Sequence, residues 1–290
     1  MSVYSYYRIG QWVATRFPRA VAYRVAVAVA DVQYRRATSD REAVQRNLSA
    51  ILGPDNPEIS SVAREAFRNF AKYLIDFFRL GEVDARFLRE HVTMVNRRYL
   101  DEALRQGHGA IALSAHLGNY ELGAAVMAAA GYRVNTVVLT HQDPRIDALF
   151  RLQRLAGGVH PIPVGIALRQ VFACLNRNEL LGILADRDFF NNGIRLEFLG
   201  RQMSIPKGPA LFSLRTGAVI VPTFLIRAPR NRFEMIFETP IYPQPTDNEP
   251  DDVKRITQQA LQVLERYIRR YPSQWYLFRD FWEAGPWAIQ

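Results

Sequence analysis

Residues 109–121 read GAIALSAHLGNYE, a stretch that combines an apolar run, a turn and the start of a helix. Residues 109–114 form a short continuous apolar run, which is typical of a strand buried on both faces of a sheet. Asn119 is a favoured N-cap residue, so the pattern predicts a helix over residues 119–130. A buried strand that leads through a turn into a helix is the repeating unit of parallel α/β sheets.

The same alternation continues after Gly107. Apolar runs predict further strands at residues 134–139, 180–185, 219–226 and 232–238. Helical periodicity predicts helices at residues 144–156, 166–176, 206–216 and 251–271. We therefore predict an α/β fold with a mostly parallel central sheet flanked by helices.

The first 100 residues differ, because their apolar positions follow a helical period. The clearest case is residues 60–80, where Gly81 is placed to end the helix. No segment is long enough to act as a linker between independent domains. We expect one domain over residues 1–290, with a helical part at residues 1–100 and an α/β core at residues 107–290.

A Val- and Ala-rich stretch at residues 11–35 is predicted to form a helix in the membrane interface. Arg16, Arg19 and Arg24 interrupt it and Pro18 breaks it, so it lacks the roughly 20 apolar residues that a spanning helix needs. Guanidinium groups that reach lipid phosphates from an apolar helix are typical of interfacial segments. The alternative is a core helix with a charged edge.

The chain is basic, since 37 Lys and Arg residues oppose 28 Asp and Glu residues and give a net charge of +9. This balance, with 49% hydrophobic residues, excludes a disordered chain, a collagen-like fibre and a disulfide scaffold. It favours anionic partners such as a membrane surface, although a GC-rich genome also raises arginine content. The single cysteine, Cys174, indicates a reducing compartment and is interpreted as a core residue.

His116 lies where the first predicted strand gives way to its helix, at the edge where α/β sheets carry functional side chains. If the turn folds Glu121 over the imidazole, the carboxylate orients it and leaves the second nitrogen as a general base. The helix N-terminus would keep the imidazole neutral, and Gly118 would let a substrate approach the backbone. The alternative is structural, because the helix dipole alone favours glutamate in a first turn.

The string His116-Leu-Gly-Asn-Tyr-Glu121 resembles the signature H-x-G-N-(W/Y)-E of the bacterial lipid A biosynthesis acyltransferase family, whose relatives include the phosphatidylinositol mannoside acyltransferases. The resemblance continues in order over most of the chain, at residues 143–154, 184–188, 198–200, 206–210 and 216–222. Pro-Ser-Gln-Trp at residues 272–275, with Arg279, is similar to the family's C-terminal Pro-x-Gln-Trp. The resemblance implies a glycerolipid acyltransferase-like αβα fold.

The resemblance implies transfer of a fatty acyl group from acyl-coenzyme A or acyl-carrier protein to a hydroxyl of a glycolipid or phospholipid. His116 would be the base, oriented by Glu121, with no cofactor beyond the thioester donor. Arg154, with Arg151 as the alternate, would bind an anionic group of the donor or acceptor. The other substrate-binding candidates are Asp186, Arg187, Asp188, Asn119 and Gly118; Arg187 would either pair with an aspartate or bind a headgroup.

The acceptor lipid stays open. Asp186-Arg187-Asp188 is closer to the mannoside-type enzymes than to the lipid A enzymes, and glycerol-phosphate acylating enzymes usually carry Asn where this chain has Ala115. A lysophospholipid or glycerol-phosphate acyltransferase and a catalytically inactive lipid-binding relative are the alternatives. The resemblance also implies peripheral attachment to the cytoplasmic face of the bacterial plasma membrane.

The spacing of residues in the sequence does not indicate a metal site, a nucleotide site, a nucleic-acid interface or a hydrolase site. The histidines at 91, 108, 116, 141 and 160 show no metal-ligand pattern, and no glycine-rich phosphate loop follows a strand. The arginines are dispersed, which disfavours nucleic acid, and no Gly-x-Ser-x-Gly elbow of an α/β hydrolase occurs. We therefore predict no metal, nucleotide or nucleic-acid partner.

Overall fold

The structure, a computed structural model, describes residues 2–164, 167–189 and 192–282. Within these ranges the strands are β1 Val92–Val95, β2 Ala110–Ser114, β3 Val134–Val138, β4 Val159–Pro163, β5 Leu180–Leu184, β6 Ile194–Phe198, β7 Arg201–Ile205, β8 Val219–Arg227 and β9 Phe233–Phe237. The helices are α1 Val3–Arg16, α2 Arg19–Arg36, α3 Thr38–Leu52, α4 Ile59–Phe77, α5 Ala85–His91, α6 Arg98–Leu104, α7 Tyr120–Ala129, α8 Pro144–Ala156, α9 Ala167–Asn176, α10 Gly208–Thr216 and α11 Glu249–Arg270. Ile166, where the predicted helix 166–176 begins, lies outside the described residues.

Seven strands form one sheet in the order β1-β9-β8-β2-β5-β3-β4, and β6 and β7 form a separate antiparallel pair. Neighbours in the large sheet are parallel except β8 and β9. Residues 228–232 join these two strands, and so short a connection permits only an antiparallel pair. The predicted mostly parallel α/β fold with flanking helices is confirmed.

Most predicted elements of the α/β part lie within a few residues of their expected positions, but four strands differ from expectation. β1 lies inside the stretch predicted to be helical, and β4, β6 and β7 are missing from the predicted set. β4 contains Pro161 and Pro163 and is tolerated because it lies at the edge of the sheet. β6 and β7 meet at Leu199 and Gly200, whose positive φ angles are typical of tight hairpin turns.

The sheet separates two apolar clusters, and β2 shows how. Ile111 and Leu113 pack with residues of α9, α10 and α11 on one face. Ala110 and Ala112 pack with residues of α4, α7 and α8 on the other. The strand is therefore buried on both faces, as its continuous apolar run predicts. Cys174 is fully buried in the first cluster, and burial raises the pKa of its thiol to about 11, which confirms its interpretation as a core residue.

The N-terminal layer consists of two helices where residues 11–35 predict a single interfacial one. α1 ends at Arg16, and Pro18 caps the start of α2, since proline cannot continue a helix but fits at its beginning. Most exposed large apolar side chains of the described residues lie on these helices or at the break between them: Val3, Tyr6, Ile9, Trp12, Phe17, Val21, Val25, Val29 and Val32. None of the described helices has both the length and the apolar character to cross a bilayer.

Candidate active site

Two candidate functional side chains, those of His116 and Asp186, meet because β2 and β5 are neighbours in register. Ser114 pairs with Leu184 at the carboxyl ends of these strands. His116 and Asp186 each lie two residues further along the chain, so both emerge at the same edge of the sheet. The carboxyl ends of parallel strands are where α/β folds build their sites.

Asp186 is the hydrogen-bond partner of the His116 imidazole. The Nδ1 atom of His116 lies 2.8 Å from Oδ1 of Asp186, and the main-chain N–H of His116 donates to Oδ2 at 3.1 Å. Trp275 donates its indole Nε1–H to the same Oδ2 atom at 3.1 Å. Asp186 is completely buried, which favours the neutral acid, but the attraction of His116 when it is protonated, the Arg187 charge and these hydrogen bonds outweigh burial and hold its pKa well below the usual range.

The surroundings of His116 favour the neutral imidazole. Burial lowers its pKa first and the positive charge of Arg187 second, while Asp186 and Glu121 oppose the shift. The helix N-terminus that the sequence suggested as the cause is not the leading one. Because Nδ1 faces a carboxylate, Nε2 is the nitrogen left to accept a proton, and His116 lines a cavity where a substrate can reach it.

The prediction that Glu121 orients His116 is wrong. Glu121 instead forms a buried ion pair with Arg154, whose Nη2 and Nε atoms donate to the carboxylate at 2.6 to 3.1 Å. The pair joins the first turn of α7 to the last turn of α8. Burial lowers the pKa of Arg154, but the charge and hydrogen bonds of Glu121 outweigh it and raise that pKa overall. Arg154 lines the cavity as expected, yet its charge is already matched.

Three other predicted substrate-binding residues have different positions from those expected. Arg151 is exposed on α8 and is not among the described residues that line the cavity. Gly118 has a φ of +67°, and a Cβ atom there would lie 2.2 Å from the Leu225 carbonyl oxygen, so protein backbone occupies the space assigned to a substrate. Asn119 caps α7, as its residue type predicts, but it is buried and donates to Asp76 at 2.9 Å.

Asp186 and Asp188 are both buried, and of the three residues Arg187 and Asp188 line the cavity whereas Asp186 does not. Asp186 contacts His116 rather than a substrate. Arg187 donates to the Tyr276 carbonyl at 2.7 Å and lies 3.9 Å from Asp186. Asp188 accepts from the Gly193 N–H at 2.9 Å and the Ser204 hydroxyl at 2.5 Å. These contacts tie the end of β5 to the β6–β7 hairpin and to the C-terminal segment.

The C-terminal segment fixes the loop that carries His116, a function that sequence reasoning did not assign to it. The Gly118 N–H donates to the Gln274 carbonyl at 2.8 Å, and the Tyr276 N–H donates to the His116 carbonyl at 3.1 Å. The Gln274 amide also forms two hydrogen bonds to the main chain of Arg227 on β8. The signal available in the sequence was the Pro-x-Gln-Trp similarity, which gives the residue types but not their contacts.

The cavity beside His116 has a volume of about 490 Å³ and two chemically different parts. Its polar part contains His116, Arg187, Asp188 and Lys207. Its other part extends between the sheet and α7, where Ala112, Ala124, Met127, Leu225 and Met235 belong to the second apolar cluster. Gly123 and Gly182 also line it, and a Cβ atom would lie 3.2 Å from the Leu225 Cβ at the first position and 3.0 Å from the Thr136 Cγ2 at the second, so glycine permits close packing there. The described residues contain no cluster of three side chains suited to a metal ion.

The comparisons with known proteins give one family and several relatives. The sequence profile described as bacterial lipid A biosynthesis acyltransferase matches residues 2–284. The phosphatidylinositol mannoside acyltransferase of Mycolicibacterium smegmatis is 26% identical over 294 residues, covering 96% of this chain and 90% of that protein. The protein of the same name from Mycobacterium tuberculosis H37Rv is 25% identical over 280 residues, covering 94% and 86%. The crystal structure of the 1-acyl-sn-glycerophosphate acyltransferase PlsC from Thermotoga maritima covers 83% of this chain and 97% of its own, with 13% identity and a TM-score of 0.38.

Proposed function

The chain belongs to the bacterial lipid A biosynthesis acyltransferase family and is an acyltransferase that acts on lipids, and we propose that it transfers a fatty acyl group from an acyl-coenzyme A or acyl-carrier protein thioester to a hydroxyl group of a glycolipid, with His116 as the general base. The hydrogen bond between His116 and the buried Asp186, beside a cavity that is partly apolar, carries this proposal. The site therefore contains a proton acceptor next to a space that can hold an alkyl chain.

The proposed reaction requires only the thioester donor, the acceptor hydroxyl and the side chains of His116 and Asp186. Nε2 of His116 takes the proton of the acceptor hydroxyl as its oxygen attacks the thioester carbonyl. The new ester C–O bond forms, the C–S bond breaks, and the departing thiolate receives the proton from the imidazolium. Asp186 stabilises the imidazolium between these two transfers, because its charge lies 2.8 Å from Nδ1. Cys174 has no part in the reaction, since it is buried in the core.

The two parts of the cavity suit the two ends of an acyl donor. The fatty chain would occupy the apolar part between α7 and the sheet, where burial from water provides the binding energy. Arg187 and Lys207 line the polar part and would bind a phosphate of the donor or of the acceptor headgroup. The relatives are named for acylating phosphatidylinositol mannosides, so a mannosylated phosphatidylinositol is the first acceptor to test.

The N-terminal helices would attach the enzyme peripherally to the cytoplasmic face of the plasma membrane. Val21, Val25 and Val29 recur every fourth residue on one exposed stripe of α2, and Trp12 is exposed on α1. Arg16 and Arg24 lie close to them in the sequence and would reach anionic lipid phosphates. Co-sedimentation with anionic vesicles, weakening as salt rises, is the expected result, and equal binding to neutral vesicles would contradict the electrostatic part.

The decisive experiment is an acyl-transfer assay with purified protein. Palmitoyl-coenzyme A and palmitoyl-carrier protein would each be offered with a phosphatidylinositol mannoside, a lipid A precursor or lysophosphatidic acid, and products identified by mass spectrometry. We expect an acylated mannoside. Acylation of lysophosphatidic acid alone would establish the lysophospholipid alternative, and no product with any acceptor would establish an inactive relative.

A further inference from the structure

We propose that Trp275 is a positioning residue for His116, because its indole N–H holds one oxygen of Asp186 and thereby directs the other oxygen at the imidazole. The inference rests on the proposed role of His116 as the general base. Trp275 is not among the described residues that line the cavity, so it acts through Asp186 and not on a substrate.

The two oxygens of Asp186 have separate partners. Oδ2 accepts from the Trp275 indole and from the His116 main-chain N–H, both at 3.1 Å. Oδ1 lies 2.8 Å from Nδ1 of the imidazole. A carboxylate can rotate about its Cβ–Cγ bond, and rotation would exchange or lose these contacts. With Oδ2 held from two directions, Oδ1 stays aimed at the ring.

The position of the indole follows from the backbone. Trp275 pairs with Leu117 in a β-bridge, and hydrogen bonds on either side connect Gly118 to Gln274 and Tyr276 to His116. The chain segment that carries the base is thus bound directly to the segment that carries the indole. Trp275 is 3% exposed, and its ring packs edge to face against Phe281, with ring centres 4.9 Å apart. This packing leaves the N–H little freedom to turn away.

The hydrogen bond from Trp275 also influences whether Asp186 is ionised. Burying a carboxylate without enough donors favours its protonation, and a protonated Asp186 would no longer stabilise an imidazolium. Donors that approach from the protein keep it ionised, and the indole N–H is one of them. Hydrogen bonds to charged groups are among the stronger ones in proteins, so the loss of this one should lower the reaction rate.

The test removes the N–H without changing the ring shape. β-(3-Benzothienyl)alanine at position 275 replaces the N–H with sulfur, whereas 5-fluorotryptophan at the same position keeps it. We expect the benzothienyl protein to lose about 10- to 100-fold in kcat with little change in KM, and the fluorinated protein to resemble the wild type. An Asp186 side chain that is misaimed or protonated stabilises the imidazolium less, so the acid limb of the kcat/KM profile should move to lower pH.

Trp282 provides a matched control in the same segment, because its ring also packs against Phe281, at 5.2 Å, without contacting Asp186. Trp282→Phe should leave the acid limb unchanged. NMR titration of His116 in both position-275 proteins gives a readout that needs no turnover. An unchanged His116 titration, or equal losses with both tryptophan analogues, would show that Trp275 only packs. If the wild type transfers no acyl group, the proposed function fails, and the titration still decides the role of Trp275.

Discussion

Glu121 and Asp186 are both buried carboxylates near the cavity, and each contacts a nitrogen base at short distance. Arg154 lies 2.6 Å from Glu121, and the His116 imidazole lies 2.8 Å from Asp186. The partners differ in one property, since a guanidinium stays protonated at physiological pH whereas an imidazole exchanges its proton near neutrality. The first pair is therefore a permanent ion pair, and the second can take part in a proton transfer.

The two pairs also connect different parts of the fold. Glu121 and Arg154 join α7 to α8, so their attraction holds together helices that cover one face of the sheet. His116 and Asp186 follow two adjacent strands, whose register fixes their separation. Distance and burial alone do not distinguish a structural pair from a catalytic one. We expect the ability of the partner to titrate to distinguish them, and mutations should separate the two roles.

The largest expected effect comes from removing the proposed base, His116. His116→Ala should lower kcat by about 1,000-fold or more, because it removes the group proposed to take the acceptor proton. The measurement is acyl transfer under saturating donor, with the thermal unfolding midpoint as a check on folding. His160→Ala, at an exposed position on β4, is the matched control and should keep full activity. More than a tenth of wild-type turnover in His116→Ala would reject this residue as the base.

The next effect tests the partner of His116. Asp186→Asn should lower kcat by about 100- to 1,000-fold, because the neutral amide no longer stabilises the imidazolium. The charge of Asp186 raises the pKa of His116, so its removal should lower that pKa further. The acid limb of kcat/KM should therefore move to lower pH while the plateau falls. A limb that stays in place would mean that Asp186 does not act on His116 electrostatically.

Substitution of Glu121, which pairs with Arg154, should affect the stability of the protein more than its rate of acyl transfer. Glu121→Gln leaves Arg154 charged and buried, which should lower the free energy of unfolding by about 3 kcal/mol. The double variant Glu121→Gln, Arg154→Gln removes both charges and should recover part of that loss, as a double-mutant cycle in urea would measure. We expect kcat to fall about 10-fold or less, since neither side chain contacts the imidazole nitrogens. A rate loss matching that of Asp186→Asn would reverse the assignment of the two carboxylates.

Much of the fold was predictable from the sequence because apolar residues follow different patterns in buried strands and in amphipathic helices. α8 occupies its predicted range, and β2, β5 and β8 lie close to theirs. β4 was not predicted because Pro161 and Pro163 argue against a strand unless it lies at an edge, and edge position is a property of the whole sheet. β1 is a four-residue strand that directly follows a helix, too short for its period to be recognised.

The candidate site was predictable in its residues and not in its pairings. His116 was identified from its place after a strand and from its motif, and Asp186 was identified only as a group at the end of another strand. Their hydrogen bond requires that β2 and β5 be neighbours, although three helices and two strands of the described residues separate them in the chain. The pairing of Glu121 with Arg154 likewise depends on how α7 and α8 pack. Spacing within a motif describes only local geometry.

The smallest expected effect concerns Asp188, a third carboxylate at this edge of the sheet, which does not contact His116. Its contacts to Gly193 and Ser204 hold the β6–β7 hairpin beside the cavity. Asp188→Asn should therefore raise the donor KM about fivefold, as expected for one weakened hydrogen bond, and should leave kcat and the acid limb unchanged. Ser204→Ala removes one of the same hydrogen bonds and should reproduce the KM change. A shift of the acid limb in Asp188→Asn would instead show that carboxylates at this edge act on the base without touching it.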